Sequence, residues 1–335
     1  MTLSDVEQAA LERAFELARN SGVVHGPNPA VGAVLLAPDG TVVAEGWHEG
    51  AGTAHAEAVA LAAAGQNARG ATAVVSLEPC AHHGRTPPCA HALSRAGVAR
   101  VVFGQRDPNP AAAGGAEVLR GAGVDVSGPH RADEARAINE EWSMAAERGR
   151  PVVTWKVAAS LDGRISAADG TSQWITSAQS REAAHQLRVA SDAVLTGTGT
   201  ALLDRPRLTA RPGGQEAPRQ PLRAVMGLTP LPAGHPLTDA MLLRTRDPQE
   251  ALHLLWQADV RRVMLECGPR LAGAFLDADL VDRVVWFTAP IMLGPYGLAV
   301  ADGGPTTLAD AVTWQVVKCG RSGVDIRLDL VRREQ

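Results

Sequence analysis

Four cysteines in 335 residues, no excess of basic charge and no long apolar stretch at the start of the chain exclude several classes of protein at once. Cys80, Cys89, Cys267 and Cys319 are too few to staple a chain of this length, and they suit a reducing compartment in which they stay thiols. With 32 Lys and Arg against 36 Asp and Glu, the net charge is -4. Nonspecific nucleic-acid affinity comes from clustered cations that neutralise phosphates, so a free small molecule is the expected partner and nucleic acid is not. The opening MTLSDVEQAALERAFELARN carries charge throughout. Neither a secretory signal nor a membrane span is expected there, and the expected location is cytoplasmic. What the sequence does have is a globular balance of 45% hydrophobic and 20% charged residues, with 34 Gly and 22 Pro to make tight turns. At about 100–200 residues per domain, the length predicts two domains.

Ser4 and Glu7 have capping-box spacing, and Val6, Ala10, Ala14 and Leu17 recur at helical intervals, so the chain opens with a packing helix. Two apolar runs flank Pro38-Asp39-Gly40, which predicts a β-hairpin. ATAVVSLEP and ARVVFGQRDPNP read as short strands, and the alanine-rich stretches after His55 and Pro88 as helices between them. That alternation predicts an α/β layer fold. One helix is expected from about Arg131 to Glu147, ended by Gly149 and Pro151, with a second domain beginning near Arg150.

The chemistry enters at His55-Ala56-Glu57, followed 22 residues later by Pro79-Cys80 and then by Cys89. One imidazole and two thiolates supply three zinc ligands and leave a fourth position for water, as a catalytic site requires. Glu57 stands two residues beyond the His at a helix start, placed to move a proton between that water, a ring nitrogen and departing ammonia. His-x-Glu followed by Pro-Cys-x-x-Cys is the signature of zinc-dependent nucleobase deaminases. Here eight residues separate the two cysteines instead of two. The competing readings are a core His with two buried thiols, or a closed structural zinc site with His82 or His83 as fourth ligand. A structural site has no need of Glu57.

The segments GPNPAVGAVL, HAEAVAL, SLEPCAHHGRTPPC, RDPNP, KVAASLDGRIS, SQWITS and ECGPRLAG resemble a known family, and they run from the first helix nearly to the carboxyl terminus. It is the bifunctional riboflavin-biosynthesis family, in which diaminohydroxyphosphoribosylaminopyrimidine deaminase is joined to 5-amino-6-(5-phosphoribosylamino)uracil reductase. The longer loop between the cysteines is itself a mark of that family. The resemblance implies an α/β protein with a cytidine-deaminase-like α/β/α domain over residues 1–148 and a dihydrofolate-reductase-like α/β domain over 149–335. It implies Zn2+ and NADPH as cofactors, a phosphoribosylaminopyrimidine substrate and a homo-oligomer. Asn28 can read a heterocycle through its amide, while His82, His83 and Arg85 can meet the ring or the ribose phosphate. Asn109 in DPNP reads as a turn residue.

The second half has weaker signals of its own. PVVTWKVAAS, SDAVLTGTGT, LRAVMG, RRVMLECG and DRVVWFTAP read as strands, with REAAHQLRVA and PRLAGAFLDADL as helices. Gly197, Gly199 and Thr200 at a strand end and Gly268-Pro269 before a helix can present backbone N–H groups to phosphate, but neither forms G-x-G-x-x-G, and simple turn geometry is the alternative. The resemblance places Ala158, Trp174, Thr200, Asp204, Gly268, Pro269 and Gly273 where the family holds NADPH. It places Ser172, Arg188, Leu208, Arg211 and Glu266 where it holds substrate. Arg188 and Arg211 suit a phosphate, and Lys156 and Glu266 suit proton handling or orientation during hydride addition. Surface ion pairing and, for Trp174, a core position are the structural alternatives. Two further readings stay open for the whole chain: a zinc deaminase of another nucleobase or nucleoside with an altered second domain, and a non-catalytic protein held by structural zinc. Cys267 and Cys319 read as buried reduced thiols.

Overall fold

A computed structural model describes residues 2–23, 26–82 and 87–333. The chain divides into two compact units, 1–149 and 150–335.

The first unit opens with α1 (Asp5–Asn20). Its capping box forms as the spacing predicts: Ser4 N donates to Glu7 Oε2 at 2.8 Å and Glu7 N donates to Ser4 Oγ at 3.3 Å. Ala10, Ala14 and Leu17 are buried as expected, whereas Val6 is exposed. The predicted hairpin is β1 (Gly32–Leu36) and β2 (Val42–Trp47), turned at Gly40 with φ of 89° and tied by Thr41 N–H to Asp39 Oδ1. There follow α2 (Ala56–Ala64), β3 (Thr72–Leu77), α3 (Cys89–Arg95), β4 (Arg100–Gln105), α4 (Gly115–Gly121), β5 (Asp125–Ser127), α5 (Ala132–Ile138) and α6 (Glu140–Arg148). The sheet order is β2-β1-β3-β4-β5, with β1 antiparallel to both neighbours and β3, β4 and β5 parallel.

Strand alternation builds two cores from one sheet. Val34, Leu36, Val74 and Val102 pack with Leu11 and Phe15 of α1, while Ala33, Leu35, Val75 and Leu77 pack with Ala56 and Ala60 of α2 and with Leu93 and Leu119. The result is the expected α/β/α sandwich. A Cβ on Gly46 of β2 would lie 2.2 Å from Ala56 O, so glycine there lets the start of α2 settle onto the sheet. The single helix expected over 131–147 is in fact two. It breaks at Asn139, whose amide leaves the helical path to bond both the N–H and the C=O of Ala30, each at 2.8 Å. Gly149, in the left-handed region at φ 63°, ends α6 as predicted.

The second unit contains β6 (Val152–Ser160), α7 (Ala178–Val189), β7 (Ala193–Gly197), α8 (Thr198–Asp204), β8 (Leu222–Met226), β9 (Met241–Leu243), α9 (Pro248–Gln257), β10 (Arg262–Leu265), α10 (Pro269–Asp277), β11 (Arg283–Ala289), β12 (Trp314–Ser322) and β13 (Asp325–Arg332). Its eight strands run β12-β13-β11-β6-β10-β7-β8-β9, six of them mutually parallel and the last two an antiparallel hairpin on one edge. The predicted strands and helices are present. The glycine turn read at 197–200 is the first turn of α8, and β9, α9 and the β12–β13 hairpin lie where no element was predicted. Cys319, expected to be buried, is exposed on β12. Trp155, Val157 and Leu265 point into the larger core beside α9 and α10, so alternation turns Lys156, Ala158 and Glu266 to the face that carries α7.

Two candidate active sites

In the first unit three chain segments converge. His55 caps α2 with extended backbone, Cys80 follows β3, and Cys89 is the first residue of α3. Their ligand atoms all lie within 4.8 Å of one another. His55 Nδ1 is 3.2 Å from Cys89 Sγ and 3.6 Å from Cys80 Sγ, and Cys89 N–H donates to Cys80 Sγ at 3.4 Å. One nitrogen and two sulfurs at this spacing suit zinc, and three ligands leave one position open. Among the described residues no fourth His, Cys, Asp or Glu joins the cluster, His82 included. His83 and Arg85 lie outside the described residues.

The electrostatics agree with a site made for a cation. The Cys80 thiol is pulled down to about 4 by the hydrogen bond from Cys89 and by that of His55, while Cys89 is pushed up by the same sulfur–sulfur bond and by burial. A coordinated divalent cation would favour the thiolate form of both sulfurs. Glu57, 5% exposed in the first turn of α2, is pushed up chiefly by burial and next by the charge of Cys80. A cation in the cluster would act in the opposite sense and favour the carboxylate, the form that can take a proton.

Around this centre the structure adds residues that the motif did not reveal. Buried His48 presents Nδ1 to Ala54 O at 3.0 Å, so Nδ1 carries the proton and Nε2 accepts from Asn28 Nδ2 at 2.9 Å. Burial pushes the His48 pKa down, which keeps this tautomer neutral, and its ring meets that of His55 edge-on. The Asn28 loop is clamped from α6: Trp142 Nε1 donates to Pro27 O at 2.8 Å, and Asn139 holds Ala30. Asn109 is a turn residue, accepting Ala111 N–H on Oδ1 and donating its own N–H to Asp107. Asp107 is pushed up to about 7 by burial against that bond from Asn109, and the charges of Glu78, Cys80 and Glu57 add to the rise.

In the second unit Glu266 extends β10, and Arg188 reaches it from α7. Arg188 Nε and Nη2 grip Glu266 Oε1 and Oε2 at 2.5 and 2.9 Å, and Nη1 donates to Thr209 O at 3.0 Å. Each side chain is only 14% exposed, so this is an interior pair and not the surface pairing weighed above. The fork expected to meet phosphate is therefore filled by Glu266. Burial favours the neutral acid, but the charge and hydrogen bonds of Arg188 and the charge of Lys156 outweigh it and hold Glu266 at about 2. Lys156 is pushed down by burial, with Glu266 opposing. His185, which the sequence did not single out, accepts Arg211 N–H on Nδ1 at 3.1 Å; burial and the charges of Arg188 and Arg211 push its pKa down.

The residues expected at the cofactor are distributed as follows. Thr200 Oγ1 accepts Gly268 N–H at 3.0 Å, which joins α8 to the start of α10, with Pro269 in the first helical turn. Ala158 sits on β6, Asp204 ends α8 on the surface, and Ser172 is half-buried. Trp174 is 68% exposed with Arg181 stacked over it at 4.7 Å, which removes the core reading. A Cβ on Gly273 would lie 2.0 Å from Asp302 O, so that glycine faces neighbouring backbone. Leu208 packs its side chain into the smaller core and has φ of 53°.

Two families match the chain: the RibD C-terminal domain over residues 151–328, and the cytidine and deoxycytidylate deaminase zinc-binding region over residues 4–105. Riboflavin biosynthesis protein RibD of Mycobacterium tuberculosis (strain H37Rv) is 46% identical over 313 residues, covering 92% of each chain. That of Escherichia coli K12 is 39% identical, covering 96% of this chain and 98% of its own. Among solved structures, Acinetobacter baumannii RibD superposes with a TM-score of 0.85 at 34% identity, covering 98% of this chain and 99% of its own. A diaminohydroxyphosphoribosylaminopyrimidine deaminase/5-amino-6-(5-phosphoribosylamino)uracil reductase from Thermotoga maritima does so with 0.79 at 31% identity, with the same coverage.

Proposed function

The chain belongs to the RibD family of riboflavin-biosynthesis proteins, and from that premise we propose which residues perform its two reactions. It is a bifunctional enzyme, a zinc-dependent deaminase fused to an NADPH-dependent reductase. We assign deamination to residues 1–148 and reduction to 149–335. The substrate in our reading is 2,5-diamino-6-(5-phosphoribosylamino)pyrimidin-4-one, which is deaminated first and then reduced from ribosyl to ribityl. We place the enzyme in the cytoplasm as a homo-oligomer acting on the free compound and not on nucleic acid.

The observation that carries the deaminase assignment is the three-donor cluster with buried Glu57 beside it. His55, Cys80 and Cys89 would hold zinc, which when bound lowers the pKa of a water ligand to about 7. Glu57 takes the proton so released, hands it to the ring nitrogen next to the attacked carbon, and carries a further proton to the amine that leaves as ammonia. Asn28 faces the ring with an amide whose orientation neutral His48 fixes, and His83 and Arg85 are assigned to the substrate from the loop between the cysteines.

In the second unit Ala158, Trp174, Thr200, Asp204, Gly268, Pro269 and Gly273 would hold NADPH, which when bound supplies the hydride. The sugar and its phosphate lie along Ser172, Leu208 and Arg211. Lys156 handles the proton that hydride addition at the sugar carbon requires, because its desolvated amine gives up a proton more readily than a surface lysine. Glu266 stays ionised and orients Lys156, and Arg188 holds Glu266 in place.

Mass spectrometry of the substrate incubated with zinc-loaded protein, with and without NADPH, tests both assignments. Exchange of the amine for oxygen without cofactor, followed by reduction only when NADPH is present, is the expected result. No reaction in protein that has zinc bound overturns the substrate assignment.

A further inference from the structure

We propose that Glu78 is a positioning residue for deamination, its buried carboxylate holding the 107–113 loop against the metal-ligating cysteines. Glu78 is 3% exposed and stands between β3 and Pro79-Cys80. Oε2 accepts Asp107 N–H at 3.3 Å, and Oε1 accepts Ala116 N–H at 2.9 Å. One side chain thus grips both ends of the segment that joins β4 to α4. That segment lies on the metal cluster itself: Ala112 packs with Cys80 and Cys89, and Ala112 O accepts Ala81 N–H at 3.0 Å. The approach is close, since a Cβ on Gly115 would lie 1.6 Å from Pro79 O.

The residue type follows from what converges. Two backbone N–H groups need two acceptors, and a carboxylate offers two oxygens with no donor to repel either; an amide of the same shape would turn an N–H onto an N–H. Packing alone would be served as well by an apolar side chain, without the cost of burying a charge. The loop that Glu78 fixes is near enough to the reacting centre for Asp107 to feel the charges of Cys80 and Glu57. Glu78 therefore acts through the loop, setting how far this wall stands from the metal ligands.

The inference rests on the deaminase assignment, so both half-reactions are measured on one preparation of full-length, zinc-loaded protein. In Glu78→Gln we expect zinc content and the reduction rate to match wild type. The KM for deamination should rise about tenfold, equivalent to about 1.4 kcal/mol, with kcat kept within about threefold because the proton-transfer groups are untouched. Amide hydrogen exchange over 106–116 should quicken, with 55–60 unchanged. An unchanged KM, a loss of zinc that tracks the loss of activity, or a fall in kcat at constant KM each overturns the proposal. Absence of deamination in wild type overturns the deaminase assignment instead. Should Glu78→Gln not fold, Glu78→Asp, which keeps both acceptors on a shorter stem, carries the same KM criterion; if neither folds, Glu78 is a stability residue and the proposal fails.

Discussion

Glu57 and Glu266 are both buried carboxyls at the centre of a site, and their surroundings drive them in opposite directions. Glu57 has desolvation and an anionic sulfur beside it, and its pKa rises. Glu266 is desolvated as well, but the guanidinium of Arg188 and the amine of Lys156 reverse the outcome. The first is pushed toward its neutral form, and the second keeps a fixed negative charge. In this chain, then, burial alone does not set the direction in which a carboxyl shifts; the sign of the nearest charge does. In our assignment the deaminase moves protons through a glutamate, and the reductase uses its glutamate to poise a lysine.

The strongest test of that contrast removes one carboxylate without changing its shape. Glu57→Gln should lower kcat for deamination by about 10²–10⁴-fold, the range that a general acid–base group supplies. Zinc content, thermal unfolding and the reduction of pre-deaminated substrate should stay as in wild type. Chelation of the metal should abolish the same activity by a separate route, lowering the unfolding temperature of the first unit because ligand binding stabilises the fold that makes the site. If Glu57→Gln also loses zinc, Glu57 belongs to the metal site and the contrast breaks.

The matching change in the second unit should act on stability as well as on rate. Held at about 2 against an ordinary 4.5, Glu266 contributes about 3 kcal/mol at neutral pH. A lowered carboxyl pKa gives stability that is complete above pH 4.5 and is lost as the pH falls toward 2. Glu266→Gln should therefore be about 3 kcal/mol less stable than wild type at pH 7 and nearly equal to it near pH 2. Denaturant unfolding at the two pH values measures the difference. Its reduction rate should fall while deamination is kept; a gap that does not close in acid would show that Glu266 is not held ionised by its partners.

How much of this was legible in the sequence differs between the two sites for a physical reason. A metal cluster of the first kind declares itself because ligand chemistry restricts residue type: His, Glu and two Cys in a fixed order have few other uses together. The capping box of α1, the hairpin at Asp39-Gly40 and the stop at Gly149 were legible because local backbone geometry dictates them. The Arg188–Glu266 pair joins residues 78 apart, and nothing near either one marks the other. The break at Asn139 depends on Ala30, 109 residues away, so local helix propensity reads straight through it. His185 was missed for the same reason, its partner Arg211 N–H lying 26 residues away, and so was the pairing of His48 with Asn28, 20 residues away. The β12 strand is exposed along nearly its whole length, and without a buried face it carries no alternation to read.

The finest test of the separation between the two sites is the clamp on the Asn28 loop. Trp142 is 4% exposed and gives Pro27 O its hydrogen bond at 2.8 Å, while Asn139 independently holds Ala30. Trp142→Phe keeps most of the buried ring and removes one donor, a loss of about 1 kcal/mol. With the Asn139 clamp in place the loop stays folded but sits less firmly, so Asn28 meets the ring in a wider range of poses. The KM for deamination should rise about two- to fivefold, in line with one weakened hydrogen bond, and kcat should change less. Reduction of pre-deaminated substrate should not change, since in our assignment that reaction belongs to the second unit. A parallel loss of both activities would show that α6, the last helix before the second unit, transmits the change, and the two sites would then have to be treated as one.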